Sequence, residues 1–395
     1  MEENTNYFFV ILENFVYNMT MKKKEIKKLI QNYFHLPPTK LKCKMKLSKF
    51  SFEKIEVETK NPTLFLVPKV AEIDEYLTAL CIKTPFVFFE EKVVSKIINN
   101  QITKAEYKKL LEIIKKLAKE DFSFALIPYE YPTIFGDNEK LSKEIIKLIY
   151  ETKLDIKWLT FPNEYFAVPM WANKPRLVKF YANQQIKLSN KSLEDLTDKE
   201  IQKTVQNLTP SSASSYTKKF PLSIQSNNTA EGLEKLVYCC PHCNELFSIY
   251  SEYSCLKCKS CGNIIELDKN GEILFCSKIK NYDEIENYLY TTLVKKDFSI
   301  NQIIQYNDIY QILCKNCKKT TKININLQVF AEKIIITNSK TKEEDEYSFE
   351  NMESIDLSFD NTLIIKTKNA KQIILQGKNN ENFLILKHLL KLNKN

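Results

Sequence analysis

Two C-x-x-C pairs, fourteen residues apart, constrain this chain more than any other feature. They are Cys240/Cys243 in Y-C-C-P-H-C and Cys258/Cys261 in C-K-S-C-G. A C-x-x-C turn points both sulfurs the same way, so two such turns facing each other form a four-thiolate cage. Zn²⁺ suits that cage, because it takes four soft ligands near 2.3 Å and needs neither redox chemistry nor an open position. Free thiols in a reducing compartment would leave Pro241 and Gly262, at the two knuckles, without a role. Cys255-x-x-Cys258 is a rival second pair. Cys258/Cys261 is preferred because Gly262 follows it, and a zinc knuckle needs a residue there that tolerates positive φ. Cys239 and Cys255 then stand outside the site, and His242 between two ligands is read as facing solvent, with binding in place of a cysteine as the alternative. A closed site of this kind stabilises a stretch too short to build its own core rather than catalysing a reaction.

A length of 395 residues predicts two or three domains. Apolar residues are 44% of the chain and aromatic ones 12%, enough for packed cores. The eleven cysteines cluster in C-x-x-C pairs with no signal peptide before them, which points to a reducing cytoplasm and to metal rather than disulfides. The longest early apolar run, Tyr7–Leu12, stops at Glu13, far short of the roughly 20 residues that span a bilayer. The expected chain is therefore cytoplasmic, soluble or peripheral on the inner face of a membrane. The formal charge of +9 comes almost wholly from lysine, Arg176 being the only arginine. That bias is the signature of an AT-rich genome and is discounted as a sign of nucleic-acid binding. No G-x-G-x-x-G or G-x-x-x-x-G-K-[ST] occurs, so the usual glycine-rich phosphate cradles are excluded.

Taken in order, residues 7–19 read as a short amphipathic helix with Phe8, Leu12, Phe15, Val16 and Met19 on one face, followed by Lys22, Lys23, Lys24, Lys27 and Lys28. This fits a helix lying on an anionic membrane, and equally a helix docked on its own domain with a solvated lysine tail. Residues 41–47 alternate lysine with Leu41, Cys43, Met45 and Leu47 and are expected as a strand. Strands then alternate with helices: strand Thr63–Val67, helix Ile73–Cys81, strand Phe86–Phe89, helix Lys104–Lys119, strand Phe122–Ile127, helix Glu139–Glu151 capped near Asp137, and strands Asp155–Phe161 and Arg176–Tyr181. Thr197-x-x-Glu200 is a capping box opening a helix to about Leu208. Such alternation predicts an α/β domain with a mainly parallel sheet covered on both faces. Residues 209–229 read as the loop that leads to the cysteine segment. After Lys278 the texture changes to a helix, Tyr282–Val294, then short strands at Ile309–Leu313, Thr321–Leu327, Lys333–Thr337, Ile355–Phe359, Thr362–Thr367 and Gln372–Gln376, and a last helix, Asn382–Lys391. Antiparallel strands closed by one helix predict a small β-rich domain of pleckstrin-homology-like architecture, of a kind that binds lipids, binds proteins or merely packs. Cys314 and Cys317 form a third C-x-x-C with no second pair; Cys43, Cys81 and Cys276 read as small hydrophobes. The expected domains are 1–228, 229–279 (the zinc ribbon) and 280–395.

The order of these segments resembles the lysophospholipid acyltransferases, the family of 1-acylglycerol-3-phosphate acyltransferase, and more narrowly a bacterial branch with a zinc ribbon behind the acyltransferase domain. Asn61-Pro-Thr-Leu-Phe-Leu-Val-Pro-Lys-Val-Ala-Glu-Ile-Asp74 sits where that family has a strand running into N-H-x-x-x-x-D. Ile127-Pro-Tyr-Glu-Tyr-Pro-Thr-Ile-Phe-Gly136 sits where the branch has a strand running into F-P-E-A-R and then Gly. Trp171 and Arg176 match W-x-x-x-x-R, and Ala230-Glu-Gly-Leu233 with Tyr238-x-Cys240-Pro-His-Cys243 matches the entry to the ribbon. The likeness covers about residues 40–278.

What the resemblance implies for chemistry is broken at the positions that matter. In the family a His acts as general base on the acceptor hydroxyl and the Asp five residues on orients it. Here the His position is Lys69 and only Asp74 remains; the carboxylate of the second motif falls at Tyr129 and its phosphate-gripping arginine at Tyr131, with Glu130 one position off. A lysine is a poor base unless burial lowers its pKa by several units. No other His has an Asp five residues on. The expectation is a non-catalytic descendant, a pseudoenzyme acting as a lipid- or membrane-associated scaffold, with a protein partner as a further possibility through the C-terminal domain. Two alternatives stay open. One is an active acyltransferase with Lys69 or Glu130 standing in. The other is a zinc-ribbon nucleic-acid binder, disfavoured because Glu245, Glu252, Glu266 and Asp268 share the ribbon with Lys257, Lys259 and Lys269.

Overall fold

The computed structural model describes residues 23–394 except 40–41, 44–45, 48–49, 53–55, 71–72, 137–139, 182, 195, 208–221, 271–272, 275–281, 297–302, 316–318, 360, 370 and 379–380. The expected helix over 7–19 and most of the 209–229 loop lie outside the described residues, as do the side chains of Cys276, Cys314 and Cys317. The described chain divides into two compact units. The first comprises residues 1–133, 137–165 and 177–220, and the second residues 134–136, 166–176 and 221–395.

The first unit is mixed α/β. Its elements are α1 (Lys23–Ile30), β1 (Phe34–His35), β2 (Ser51–Phe52), β3 (Thr63–Leu66), α2 (Asp74–Cys81), β4 (Phe86–Phe89), α3 (Glu91–Ile98), α4 (Lys104–Ala118), β5 (Ser123–Leu126), α5 (Lys143–Glu151), β6 (Asp155–Thr160), the short α6 (Glu164–Ala167), β7 (Lys179–Phe180), β8 (Asn183–Leu188) and α7 (Asp198–Asn207). Six strands form one sheet in the order β1-β4-β5-β3-β6-β8. The central four run parallel, while β1 and β8 close the edges antiparallel. Strands β3, β4 and β5 are buried at every position, as a parallel strand covered on both faces must be. The helices supply the cover. Helix α5 buries Ile145, Ile146, Leu148 and Ile149, each worth about 1.5–3 kcal/mol when removed from water.

Local signals account for the helix ends. Thr103 and Glu106 form a reciprocal capping box at α4, and Thr197 with Glu200 does the same at α7. Two expectations need correction. Residues 41–47 are not a strand where described: Cys43 and Leu47 are joined by a helical-turn hydrogen bond, Leu47 N to Cys43 O. Both are buried, and alternating apolar residues also place positions four apart on one helix face. Helix α5 starts at Lys143, not Glu139, because Ser142 Oγ accepts the Ile145 amide and caps it there. Helix α3 and strand β8 were not foreseen. Between β4 and α4 the α3 apolar spacing (Val93, Val94, Ile97) is only two turns long and carries no cap signal.

The second unit holds two antiparallel sheets. Strands β9 (Ile249–Glu252), β10 (Cys255–Cys258), β11 (Ile264–Leu267) and β12 (Ile273–Leu274) form the first, in the order β12-β11-β10-β9. Helix α8 (Tyr282–Val294) follows. Strands β13 (Ile304–Lys315), β14 (Lys319–Val329), β15 (Lys333–Asn338), β16 (Glu344–Ser348), β17 (Met352–Ser358), β18 (Thr362–Thr367) and β19 (Gln372–Gln376) make a seven-stranded sheet in the order β16-β15-β14-β13-β19-β18-β17. Helix α9 (Leu384–Lys394) ends the chain and packs against β17. The alternation of buried and solvent-facing residues along β15, β17 and β18 gives this sheet one apolar face, and α9 buries Leu384, Ile385, Leu386, Leu389 and Leu390. Strand β16 escaped the sequence reading because Glu344, Asp345 and Glu346 in it are all exposed. Among the described residues no helix is long and apolar enough to cross a membrane.

Candidate functional site

In the first unit, the chain leaves β3 for β4 on one side of β5 and reaches β6 on the other side of β3. In an open α/β sheet such a reversal sets the loops after the parallel strands side by side. Lys69 follows β3 and Tyr129–Tyr131 follow β5, both expected from the sequence, and Glu164, which was not, follows β6.

Lys69 is held from two sides. Its Nζ donates to Glu91 Oε1 at 2.5 Å, from the first turn of α3, and to the Glu130 carbonyl at 2.8 Å. The side chain is only 17% exposed. The Glu130 carboxylate turns to α3 as well, accepting from Ser95 Oγ at 3.0 Å and Asn99 Nδ2 at 3.2 Å. Tyr129 is buried and Tyr131 half-buried. Asp74 opens α2 and is buried; its Oδ2 accepts the Val70 amide at 2.8 Å. Its side-chain partner is Glu164, also buried and hydrogen-bonded to it. Burial first, and then the Asp74 charge and hydrogen bond, hold the Glu164 carboxyl well above the usual carboxylate range. Sequence reasoning missed Glu91, Ser95, Asn99 and Glu164. Only Glu164 carried a usable signal, since it follows β6 at the same remove as Glu130 follows β5.

No imidazole joins this group. His35 stacks on Phe88 at 5.3 Å and lies 3.5 Å from Glu75 and 3.8 Å from Glu90. His388 belongs to the second unit and His242 is exposed there.

The second candidate site lies wholly in the second unit. The ligand sulfurs of Cys240, Cys243, Cys258 and Cys261 all fall within 4.8 Å of one another, and theirs is the only such cluster of three or more His, Cys, Asp or Glu among the described residues. Cys240 Sγ and Cys261 Sγ are 3.7 Å apart, as are Cys243 Sγ and Cys258 Sγ. A tetrahedron with metal–sulfur bonds near 2.3 Å has edges of about 3.8 Å, so the donor set fits a zinc-sized ion in both chemistry and spacing. The two turns repeat one geometry: Asn244 N bonds Cys240 O and Gly262 N bonds Cys258 O. The residue after each second cysteine has positive φ, Asn244 at 60° and Gly262 at 69°, which Gly adopts freely and Asn at small cost. Burial pushes the Cys240 thiol up to about 12. At Cys258 burial works the same way, but the Ser248 hydroxyl at 3.2 Å and the Cys261 and Ser260 amides outweigh it and bring the thiol down to about 6. Cys239 is buried and Cys255 lies on β10, both outside the cluster.

The other residues that carried the resemblance also meet in the second unit. Arg176 is buried with its guanidinium 4.4 Å from the Trp171 ring centre, and Nη2 donates to the Thr229 carbonyl at 2.6 Å. Gly232, at φ 93°, lies so close to Trp171 that a Cβ would sit 2.2 Å from the Trp171 carbonyl oxygen. These are packing roles.

No family model matches the chain, and no curated protein matches it. Among solved structures, the 1-acyl-sn-glycerophosphate acyltransferase PlsC of Thermotoga maritima aligns over 54% of this chain and 94% of its own, with 14% identity and a TM-score of 0.34. Inner membrane complex sub-compartment protein 3 of Toxoplasma gondii aligns over 22% of this chain and 77% of its own, with 12% identity and a TM-score of 0.20. The N-terminal PH domain of human ARAP2 aligns over 23% and 76%, with 11% identity and a TM-score of 0.19. All three likenesses are weak.

Proposed function

We propose that this chain is a non-catalytic scaffold: a glycerophospholipid acyltransferase-like α/β domain that has lost its proton-removing group, joined to a zinc-stabilised ribbon and a β-rich domain. The observation that carries this reading is the engagement of Lys69. Its Nζ is engaged as a donor by the Glu91 carboxylate and the Glu130 carbonyl, whereas a general base must turn a lone pair toward the proton it removes. Glu130, the other candidate stand-in, spends its carboxylate on Ser95 and Asn99. Asp74 faces the Glu164 carboxyl instead of an imidazole.

The scaffold's proposed ligand is an acyl-bearing lipid or an anionic membrane surface. Residues 1–60 support this with 12 lysines against 7 acids, and a bacterial cytoplasm fits the thiolates. Cys240, Cys243, Cys258 and Cys261 would hold one Zn²⁺, which stabilises the ribbon and leaves no position for substrate. A protein partner on the C-terminal sheet is compatible with this role.

The test combines acyl transfer with lipid capture. Purified chain, lysophosphatidic acid and radiolabelled acyl-CoA or acyl-carrier-protein should give no product above background. The chain should sediment with anionic vesicles and carry lipid detectable by mass spectrometry. Transfer that disappears in Asp74→Ala would establish an active enzyme instead. Salt-sensitive retention on DNA without retention on vesicles would favour the nucleic-acid reading.

A further inference from the structure

The four-cysteine centre of the second unit is not held by its own sheet alone. Helix α8 reaches the first knuckle through Tyr288, whose hydroxyl lies 2.8 Å from Asn244 Oδ1 and 3.3 Å from the Cys240 carbonyl. Asn244 is the positive-φ residue that closes this knuckle, and Cys240 O already accepts its amide. The same helix carries Glu286, which lies 3.7 Å from His388 Nε2 on α9. His388 is buried, and its Nδ1 lies 2.7 Å from the hydroxyl of Tyr238, two residues before Cys240. Just before α9, Asn382 Nδ2 donates to the Glu234 carbonyl at 2.8 Å, and Tyr306 of β13 bonds Asn382 O. The knuckle, α8, α9 and β13 are therefore linked by polar contacts, through the buried Tyr238, His388, Asn382 and Tyr306 and the half-buried Tyr288 and Glu286.

We propose that metal binding at Cys240, Cys243, Cys258 and Cys261 and the docking of α8 and α9 form one cooperative unit, with Tyr288 and the Tyr238–His388–Glu286 chain as couplers. This rests on the zinc reading above and goes beyond it. Without the ion, four sulfurs must share a space less than 5 Å across, and the first knuckle is left with its backbone hydrogen bonds and the Tyr288 contacts alone to hold it closed. Opening it displaces the Cys240 carbonyl and Asn244, the two groups that Tyr288 grips, and moves Tyr238 from His388. The seven-stranded sheet then loses the wall that α9 provides. Linkage makes the effect reciprocal: whatever loosens α8 weakens metal binding by the same factor.

The experiment uses the full chain. Bound zinc is measured by elemental analysis, its affinity by competition with a chromophoric chelator, and helix protection by hydrogen-exchange mass spectrometry, with α4 as internal reference. Zinc removal should speed exchange in α8 and α9 at least tenfold and leave α4 unchanged. Tyr288→Phe should weaken zinc affinity about three- to tenfold, whereas Cys255→Ser should leave it unchanged. His388→Gln, which keeps a polar group beside Tyr238, should move affinity in the same direction as Tyr288→Phe. A chain that holds zinc but keeps α8 and α9 equally protected after its removal, or a Tyr288→Phe chain with full affinity, overturns the coupling alone. A chain that neither contains zinc nor takes it up overturns the zinc reading together with the coupling.

Discussion

Glu164 shares a hydrogen bond with Asp74 in a place where neither carboxyl sees water, the two being 1% and 3% exposed. Two carboxyls so placed resist ionising together, and the Glu164 carboxyl is held well above the usual carboxylate range. This gives a stability signature. In the unfolded chain Glu164 ionises at about 4.3, while in the fold its pKa is raised, so the native state binds more protons above that pH. Stability from this pair is complete below about pH 4.3 and declines as pH rises toward the raised value, by about 1.4 kcal/mol per pH unit. Glu164→Gln keeps a neutral partner for Asp74 and carries no titrating proton. Urea unfolding from pH 5 to 9 should show the variant gaining on the wild type as pH rises. A difference that stays constant across this range would contradict the assignment.

The four clustered cysteines make a sharp prediction about register. Cys243→Ser and Cys258→Ser should each abolish stoichiometric zinc. Cys239→Ser and Cys255→Ser should retain it, since both residues stand outside the cluster. Elemental analysis of the four purified variants decides this.

Lys69→Met tests whether the lysine is structural or chemical. The ion pair with Glu91 is largely exposed on the glutamate side, at 77%, so its loss costs little. Removal of the donor to the Glu130 carbonyl adds to this, for a total of about 1 kcal/mol by denaturant midpoint. Acyl transfer should be at background in both the variant and the wild type.

Gly232→Ala should be far more damaging than its size suggests. The φ of 93° is foreign to alanine, and the added carbon would meet the Trp171 carbonyl oxygen at 2.2 Å. A loss of about 2–4 kcal/mol is expected, from positive-φ strain together with a backbone clash that only main-chain movement relieves. Thermal unfolding followed by tryptophan fluorescence would measure it.

The parts of this fold that were legible in the sequence are those in which local chemistry and tertiary packing agree. Strand Phe86–Phe89 is four apolar residues between a proline and a glutamate pair, and it folds with those bounds. Tyr282–Val294 and Thr362–Thr367 also appear as read. The four-cysteine cluster was legible because metal-site geometry is written in spacing. Strand β16 was not, because an exposed acidic edge strand has no apolar alternation to show. Residues 41–47 misled because four-residue helical spacing and two-residue strand spacing coincide on Cys43 and Leu47. The Lys69–Asp74 site of the first unit was half legible. Lys69 and Asp74 share one segment, but their partners Glu91 and Glu164 arrive from elsewhere in the chain, and only the sheet order brings them in.

The single arginine of this chain is also one of its interior side chains. An arginine-specific protease therefore has one bond to attack, Arg176–Leu177, and must draw the guanidinium off Trp171 to reach it. Scission there, timed on a gel, would clock local opening around Trp171 and Thr229 with no label, no probe and no mutation.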